Sequence, residues 1–350
     1  MKKVCALFLI ILLALTTGCQ QQERSKAAES PDNPASKTQF LMGTVVTVRI
    51  YDKGKGKVLK PVFQRIRELA NATTVEDKAR HSQIDKINQN AGIKPVRVSK
   101  NIYQMLKVGA SYSSDSNGTF DLTIGPLSRL WHIGFPDARK PAQSEIDKVL
   151  PLIDYQKMVL NDSRQTVFLK EKGMRLDLGA IAKGFITDEA VAVLKAHGVH
   201  SAIVDLGGNI FVVGKGPSGN RWNVGIQNPF SPHGEIAGKI AESNKTIVTS
   251  GIYERFIKVG GKTYHHLLNP DNGYPFNNDI ASVSVVTDRS IDGDCLSTTL
   301  FAEGVKAGFE KAEKLKGVEA IFITRDKKIY LTSGLKKNFV LMDKSFEVVN

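Results

Sequence analysis

The alternation of apolar and polar positions divides the chain into short strands and amphipathic helices. Residues 45–51 are rich in β-branched side chains and predict a first strand, and apolar residues recur with helical spacing in residues 59–73, 84–90 and 102–114. In the second half, the same criteria predict helices over residues 185–196, 294–303 and 307–315, and strands over residues 167–169, 174–176, 201–205, 210–213, 222–226, 246–249, 257–259, 262–268, 280–287, 320–324, 328–331 and 346–349. Gly260-Gly261 predicts a two-residue hairpin turn. Because strands and helices are interspersed, we expect an α+β fold with mixed sheets.

The first residues have the pattern of a secretory signal peptide. Lys2 and Lys3 precede an apolar stretch over residues 4–15, and Gly18-Cys19 is followed by a run of glutamines. The apolar stretch is too short for a membrane-spanning helix, which needs roughly 20 apolar residues. We therefore predict a signal peptide over residues 1–18.

Cys19 resembles the lipobox cysteine of bacterial lipoproteins, which is acylated and becomes the first residue of the mature protein. Thr16 departs from that pattern because leucine is usual at its position; the alternative is an ordinary signal peptide with an incidental cysteine. Polar residues 19–37 predict a flexible tether, and residues 38–350 a folded domain. The resemblance implies a lipid-anchored protein on the extracytoplasmic face of the cell membrane, and the inner face of an outer membrane is the alternative.

Charge and cysteine content narrow the functional classes. The formal net charge is +13, but the lysines are scattered and form no arginine-rich or aromatic-interleaved stripe, which argues against a nucleic-acid partner. A basic surface suits an anionic membrane or an anionic dinucleotide substrate. Once Cys5 and Cys19 are removed or modified, Cys295 is the remaining thiol, so we expect no internal disulfide.

Residues 177–184, Asp-Leu-Gly-Ala-Ile-Ala-Lys-Gly, lead into a predicted helix. Asp177 stands where a helix N-cap is expected, and the small residues that follow would let a ligand approach the backbone closely. A helix N-terminus favours phosphate, and Lys183 would add a cation for a pyrophosphate. The alternative is a capped helix with small packing residues.

Residues 293–299, Gly-Asp-Cys-Leu-Ser-Thr-Thr, form the second motif. On a helix, Asp294 and Thr298 are four residues apart and share one face. One carboxylate and one hydroxyl make an incomplete site for Mg²⁺, which retains waters and takes substrate phosphate oxygens as further ligands. The alternative is that Asp294 is a helix N-cap.

The third motif contains two adjacent histidines, followed by a turn over residues 269–273. Strand alternation places His265 and His266 on opposite faces, so one of them can face a given cleft. A histidine with a near-neutral pKa is a suitable general base for a hydroxyl group. The alternative is that the pair serves packing or lies on the surface.

Two further segments predict binding loops. Residues 39–44 contain Met42, whose flexible side chain suits packing on a flat ring. Residues 119–127, together with Trp131, predict a rigid apolar loop. Each segment taken alone is consistent with core and turn.

Taken together and in this order, these segments resemble the ApbE family of FAD:protein FMN transferases, over about residues 40–304. The resemblance implies a two-lobed fold with FAD in the cleft, and Mg²⁺ held by the Ala180 carbonyl and the side chains of Asp294 and Thr298. The positions that match flavin or phosphate contacts are Met42, Thr119, Phe120, Asp121, Asp177, Lys183 and Leu268. This chain has Gly293-Asp294-Cys295 where the family usually has Ala-Asp-Ala, so the role of the thiol is open.

The function implied is Mg²⁺-dependent transfer of FMN from FAD to a Ser or Thr hydroxyl of exported redox proteins, with release of AMP. His266 is the expected base, and Asp294 is the alternative. Three other functions compete with this one. A flavin carrier would bind FAD without chemistry, an FAD pyrophosphatase would use water in place of the protein hydroxyl, and a solute-binding lipoprotein would have two similar α/β lobes.

Overall fold

The structure is a computed structural model, and it describes residues 33–75, 82–232 and 234–350. The predicted signal peptide, Cys19 and most of the predicted tether lie outside these residues. Within the described ranges, no helix is long and apolar enough to cross a membrane.

Seven helices and seventeen strands follow one another along the described residues. The helices are Leu59–Thr73 (α1), Gln83–Gln89 (α2), Lys100–Asp115 (α3), Gly125–Trp131 (α4), Gln143–Val149 (α5), Ala182–Ala196 (α6) and Ser290–Lys314 (α7). The strands are Ala35–Leu41 (β1), Thr44–Ile50 (β2), Val96–Arg97 (β3), Met158–Asn161 (β4), Thr166–Leu169 (β5), Ser201–Leu206 (β6), Asn209–Gly214 (β7), Trp222–Gln227 (β8), Ile236–Glu242 (β9), Lys245–Gly251 (β10), Phe256–Val259 (β11), Lys262–His265 (β12), Ile280–Thr287 (β13), Glu319–Thr324 (β14), Lys328–Leu331 (β15), Val340–Leu341 (β16) and Glu347–Val348 (β17).

A nine-stranded sheet organises the molecule, with the strand order β1-β2-β6-β7-β10-β13-β14-β15-β17. Its neighbouring strands pair antiparallel except β15 and β17, which are parallel. The smaller sheets are β3-β5-β4, β16-β9-β8 and the hairpin β11-β12. The predicted α+β fold with mixed sheets is therefore confirmed.

The large sheet is covered on both faces. Helices α1, α6 and α7 pack against one face, and the β16-β9-β8 sheet packs against the other. Strand β7 shows the alternation: Phe211 and Val213 are in the helix-side core, whereas Val212 packs in the core that contains Trp222. Strand β13, which lies between two other strands, is buried along its whole length because both of its faces are covered.

Helices α6 and α7 approach each other very closely at their N-terminal ends. A Cβ atom added to Gly184 would lie 2.3 Å from the carbonyl oxygen of Ser290, so only glycine fits this crossing. The Asp188 carboxylate of α6 accepts hydrogen bonds from the backbone N–H groups of Ser290 at 2.7 Å and Ile291 at 2.9 Å. It therefore caps the start of α7 from a neighbouring helix.

Many predicted elements are confirmed, with shifts of a few residues at their ends. Helix α1 has the predicted bounds, and both residues of the Gly260-Gly261 turn have positive φ in the β11-β12 hairpin. The two helices predicted after residue 293 form one element, α7, with a kink at Gly304.

Five sequence-based predictions are wrong in detail. The N-cap at Asp177 is wrong because α6 begins at Ala182, and Asp294 is no N-cap because α7 begins at Ser290. The strand over residues 174–176 is reduced to an isolated bridge at Arg175, and the strand from residue 262 ends at His265. The folded domain begins before residue 38, because residues 35–37 of the predicted tether pair with β2 in strand β1.

Candidate active site

A cavity of about 700 Å³ lies between the segments that carry the sequence motifs. Its lining comes from the β1–β2 turn, residues 119–137, the segment before α6, the end of β10, the residues after β12 and the start of α7. Of the residues predicted for the site, those that line the cavity are Thr119, Phe120, Asp121, Asp177, Ala180, Lys183, His266, Leu268, Asp294 and Thr298. Tertiary structure thus brings together residues that are up to 179 positions apart.

One corner of this cavity is built at the α6–α7 crossing. Asp294 is 4% exposed, and its Oδ2 accepts a hydrogen bond of 2.8 Å from the backbone N–H of Gly184. This N–H belongs to the first turn of α6, where amide groups have no partner within the helix. Half-buried Thr298 follows one turn after Asp294 on α7 and also lines the cavity.

The same contact leaves the Ala180 carbonyl available. In a regular helical turn, the Gly184 N–H would donate to the carbonyl of Ala180, four residues earlier. It donates to Asp294 instead, and among the described residues no N–H group donates to Ala180 O. A carbonyl, a carboxylate and a hydroxyl therefore contribute oxygen atoms to this corner.

Burial raises the pKa of the Asp294 carboxyl, and the nearby positive charge of Lys183 opposes that effect. The side chain of Asn209 also lowers the pKa of Asp294. Its Nδ2 atom is buried and has no hydrogen-bond partner among the described residues, whereas its Oδ1 accepts from Ser290. A cation bound beside the carboxylate would, like Lys183, stabilise its charged form against the cost of burial.

These oxygen donors fit a hard divalent cation that keeps additional ligands. The described residues hold no cluster of three or more His, Cys, Asp or Glu side chains with metal-binding geometry, so a site made entirely of such side chains is absent there. Mg²⁺ commonly uses one or two carboxylates, with waters and substrate phosphates completing its coordination. Ala180, Asp294 and Thr298 are the residues that would hold it.

The two adjacent histidines have separate environments, as their alternation predicted. His265 is buried, its Nε2 bonds to the carbonyl of Phe276 at 3.0 Å, and burial lowers its pKa to about 4. His266 lines the cavity. Its Nδ1 is 3.2 Å from the carbonyl oxygen of Arg255, which can only accept, so Nδ1 donates and Nε2 keeps its lone pair.

The surroundings of His266 keep its ring neutral. Desolvation by the surrounding protein, followed by the positive charge of Arg255, lowers the pKa of His266 to about 3. Bound anionic oxygens would oppose the charge of Arg255 and raise this pKa. A neutral imidazole with a free Nε2 can accept a proton from a hydroxyl group placed in the cavity.

Two predicted ligand-binding carboxylates organise loops. Asp177 Oδ1 accepts from the N–H of Gly179 at 2.7 Å, and its Oδ2 accepts from the hydroxyl of Ser128 at 2.5 Å. Asp121 accepts three hydrogen bonds, two from Thr123 and one from the N–H of Tyr155. Burial raises the pKa of Asp121. Both residues therefore hold the cavity wall in place, and their contacts with a flavin or phosphate stay a prediction.

Met42 is the predicted contact that the cavity lining lacks. It has a φ of +54° in the β1–β2 turn and packs partly against the helix-side core, whereas the next residues, Gly43 and Thr44, line the cavity. The prediction that Met42 packs on a ligand ring therefore has no geometric support here.

Sequence reasoning also missed part of the cavity wall. Residues 132–137 form a tight loop in which the rings of His132 and Phe135 stack with centroids 4.1 Å apart. His132 Nδ1 and Asp137 Oδ1 also share a hydrogen bond of 2.6 Å in this loop. Arg255 lies between this loop and the β1–β2 turn: its Cδ is 2.8 Å from an added Cβ of Gly134. Thr249, Ser250 and Gly251, at the end of β10, line the same cavity a few residues before Arg255.

The model of the ApbE family matches residues 42–322. The chain belongs to the ApbE family, and it is a transferase.

Particular relatives and structures support this assignment over nearly the whole chain. A Klebsiella pneumoniae protein named FAD:protein FMN transferase is 35% identical, with 90% of this chain and 97% of the relative covered. A Treponema pallidum protein of the same name is 33% identical, with 89% and 90% covered. The crystal structure of the ApbE protein from Thermotoga maritima has a TM-score of 0.78 at 25% identity, with 87% of this chain and 99% of that one covered. The predicted family and its fold are confirmed.

Proposed function

We propose that this protein transfers the FMN part of FAD to a serine or threonine hydroxyl of exported acceptor proteins, releasing AMP in a Mg²⁺-dependent reaction. The observation that supports this proposal most directly is the corner of Ala180, Asp294 and Thr298. It offers three oxygens to a cation, in the cavity that Lys183 and His266 also line. The names of the Klebsiella and Treponema relatives support the same activity.

The reaction is a displacement at phosphorus. The acceptor hydroxyl oxygen bonds to the phosphorus that carries the riboflavin side, and the bond from that phosphorus to the bridging oxygen breaks. AMP leaves with the bridging oxygen and its electron pair, and the product is a phosphodiester-linked FMN. A bound Mg²⁺ would neutralise charge on the pyrophosphate and on the departing AMP.

His266 is the proposed base. Its Nδ1–H is held by the carbonyl of Arg255, so Nε2 is the nitrogen that accepts the hydroxyl proton. Lys183, in the first turn of α6, adds positive charge beside the Asp294 corner, where it favours the pyrophosphate. Asp294 is the less favourable base because its Oδ2 already accepts from Gly184 and its carboxylate is needed for the cation.

We also propose that the protein acts outside the cytoplasm, anchored to the membrane by a lipid on Cys19. The support is the sequence of residues 1–22, with the apolar stretch followed by Gly18-Cys19. Replacing Cys19→Ala should release the protein from the membrane fraction of cells that express it. Retention of the variant in that fraction would overturn the anchor.

The experiment that tests the activity is incubation of the protein with FAD, Mg²⁺ and a candidate exported redox protein. Flavin fluorescence that stays with the acceptor after denaturation shows transfer, and stoichiometric AMP release completes the balance. Release of AMP without labelled acceptor would indicate an FAD pyrophosphatase, and FAD binding without AMP release would indicate a carrier.

The same assay tests the proposed base. We expect His266→Ala to lower the transfer rate by about 100-fold to 10,000-fold, the usual contribution of a positioned base. His200→Ala is the matched control, because His200 is exposed and lies outside the cavity lining. Transfer by His266→Ala at the wild-type rate would exclude His266 from proton transfer.

A further inference from the structure

Exposed apolar side chains lie on two hairpins beside the cavity. Phe40 and Val45 face each other across the β1–β2 hairpin and are 73% and 55% exposed. Phe256, which begins the β11-β12 hairpin, is 44% exposed. Large apolar groups in such positions on a folded protein commonly mark a contact with another macromolecule.

The two hairpins meet at the cavity. Gly43 and Thr44, in the turn between Phe40 and Val45, line it, and so does Arg255, which directly precedes Phe256. A Cβ atom on Gly43 would lie 3.6 Å from Nη2 of Arg255, so the guanidinium group connects the two hairpins. Phe40, Val45 and Phe256 therefore lie within three residues of this stretch of the cavity rim.

The β11-β12 hairpin and the residue before it carry positive charge. Arg255, Lys258 and Lys262 are exposed, and the Nζ of Lys258 is 5.9 Å from the centroid of the Phe256 ring. Two carboxylates, Glu254 and Asp137, also line the cavity here, and Asp137 is paired with His132. The surface thus fits a partner that presents an apolar segment with acidic groups.

We propose that this two-hairpin surface, made of Phe40, Val45, Arg255, Phe256 and Lys258, binds the flavin-acceptor protein and presents its hydroxyl to His266. The inference rests on the proposed function and adds the contact that recognises the acceptor. The backbone of Arg255 connects this surface to the proposed base. Its carbonyl oxygen accepts hydrogen bonds from the N–H and the Nδ1–H of His266, at 3.1 Å and 3.2 Å. A segment that covers Phe256 is therefore next to the proposed base.

The position of this surface beside the cavity favours the acceptor protein as its binding partner. The reaction needs a polypeptide hydroxyl inside the cavity, so the acceptor chain must cross the rim. Binding of FAD alone does not require apolar groups outside the cavity. A second copy of this chain on the same surface would cover the rim and compete with the acceptor. These two partners predict different changes in the KM for the acceptor.

The test uses the full chain with the double substitution Phe40→Ser and Phe256→Ser. We expect the KM for the acceptor protein to rise about tenfold or more at saturating FAD, as for truncation of apolar anchors in an interface. The dissociation constant for FAD, measured by quenching of flavin fluorescence, should stay within about twofold, because exposed rim residues do not affect a preformed cavity. Ile93→Ser is the matched control, because Ile93 is 68% exposed and does not line the cavity.

A second variant keeps the test valid if the double substitution fails to fold. Lys258→Glu changes only an exposed charge, and we expect it to raise the acceptor KM at low ionic strength, with the difference from wild type shrinking as salt is added. An unchanged acceptor KM in both variants would overturn the docking surface, and so would an equal rise in Ile93→Ser. A wild-type dimer that the double substitution dissociates, with the acceptor KM unchanged or lower, would assign the surface to a second copy. Absence of any transfer by the wild-type protein would contradict the proposed function itself.

Discussion

Two aspartates connect helices α6 and α7 in opposite directions. Asp188 on α6 reaches to α7, where its carboxylate accepts from the N–H groups of Ser290 and Ile291. Asp294 on α7 reaches back to α6, where its carboxylate accepts from the N–H of Gly184. Both therefore use amide groups that a helix N-terminus leaves without an internal partner.

The two aspartates nevertheless differ in what they are available for. Asp188 has one backbone donor for each oxygen and does not line the cavity, so its role is to fix the start of α7. Asp294 lines the cavity beside Thr298 and Lys183, so its carboxylate can also face a ligand. A buried aspartate at a helix start is therefore assigned to structure or to chemistry by its access to the cavity, which its local sequence does not reveal.

Asp294→Ala tests whether access to the cavity gives this aspartate its role in the reaction. We expect it to reduce transfer by roughly 1,000-fold, because the charged oxygen donor for the cation and phosphates is lost. Its free energy of unfolding should fall by about 1–3 kcal/mol at most, because the N–H of Gly184 loses its acceptor while removal of the buried carboxyl offsets part of that loss, so transfer is assayed well below the unfolding temperature. Wild-type transfer by this variant, measured by acceptor fluorescence, would show that the corner is not the reaction site.

Gly184→Ala should affect both aspartates together. The new Cβ would be 2.3 Å from Ser290 O and 2.7 Å from Ile291 Cα, so the helices must move apart. We expect a loss of about 1–3 kcal/mol in the free energy of unfolding, as for other overpacked interiors, together with a lower transfer rate. Denaturant unfolding measures the first effect. Gly216→Ala is the control, because a Cβ there makes only ordinary contacts, the nearest at 3.6 Å; equal effects of the two substitutions would contradict the close crossing.

Asp188→Ala should lower the stability of the protein and have little effect on transfer. Removal of the cap leaves the N–H groups of Ser290 and Ile291 without their acceptor, which costs about 1–2 kcal/mol of stability. FAD binding and transfer, assayed well below the unfolding temperature, should remain within about tenfold of wild type because Asp188 does not line the cavity. A loss of transfer as large as that of Asp294→Ala would erase the distinction between the two residues.

A further prediction concerns the pH dependence of stability. Burial raises the pKa of Asp188 from 3.8 to about 6, so the folded protein binds more protons than the unfolded chain between these values. The free energy of unfolding should therefore fall as the pH rises from about 4 to about 6, and this contribution should be absent in Asp188→Asn. Subtraction of the two unfolding profiles isolates it. A difference that rises with pH in this interval would mean that hydrogen bonding to the charged form outweighs burial.

Local sequence was sufficient for features that depend on neighbours along the chain. The helical spacing of residues 59–73, the glycine pair of the β11-β12 turn and the opposite environments of His265 and His266 follow from periods of 3.6 and 2 residues. The motif resemblance added the family, which carried the candidate site residues with it. Thr298 and Asp294 share a helix face for the same reason.

Other features required contacts between distant segments. Asp177, which was wrongly predicted to be an N-cap, is an example. Its side chain accepts a hydrogen bond from Ser128, 49 positions away, and the backbone makes a turn at residues 178–181 before α6 begins. The availability of the Ala180 carbonyl likewise depends on Asp294, 114 positions further along, which takes the N–H of Gly184. No local pattern encodes either exchange of partners.

Several helices and strands, the family, and a carboxylate and a hydroxyl one turn apart on a helix could be predicted from the sequence, because each of these follows from local spacing or from matching motifs. Tertiary structure alone decided which aspartate faces the cavity, which carbonyl is left without a partner, and that Arg255 joins two hairpins beside His266. The physical reason is that a backbone amide or carbonyl takes the partner that packing brings within about 3 Å, and packing at a helix crossing is set by residues far apart in the chain.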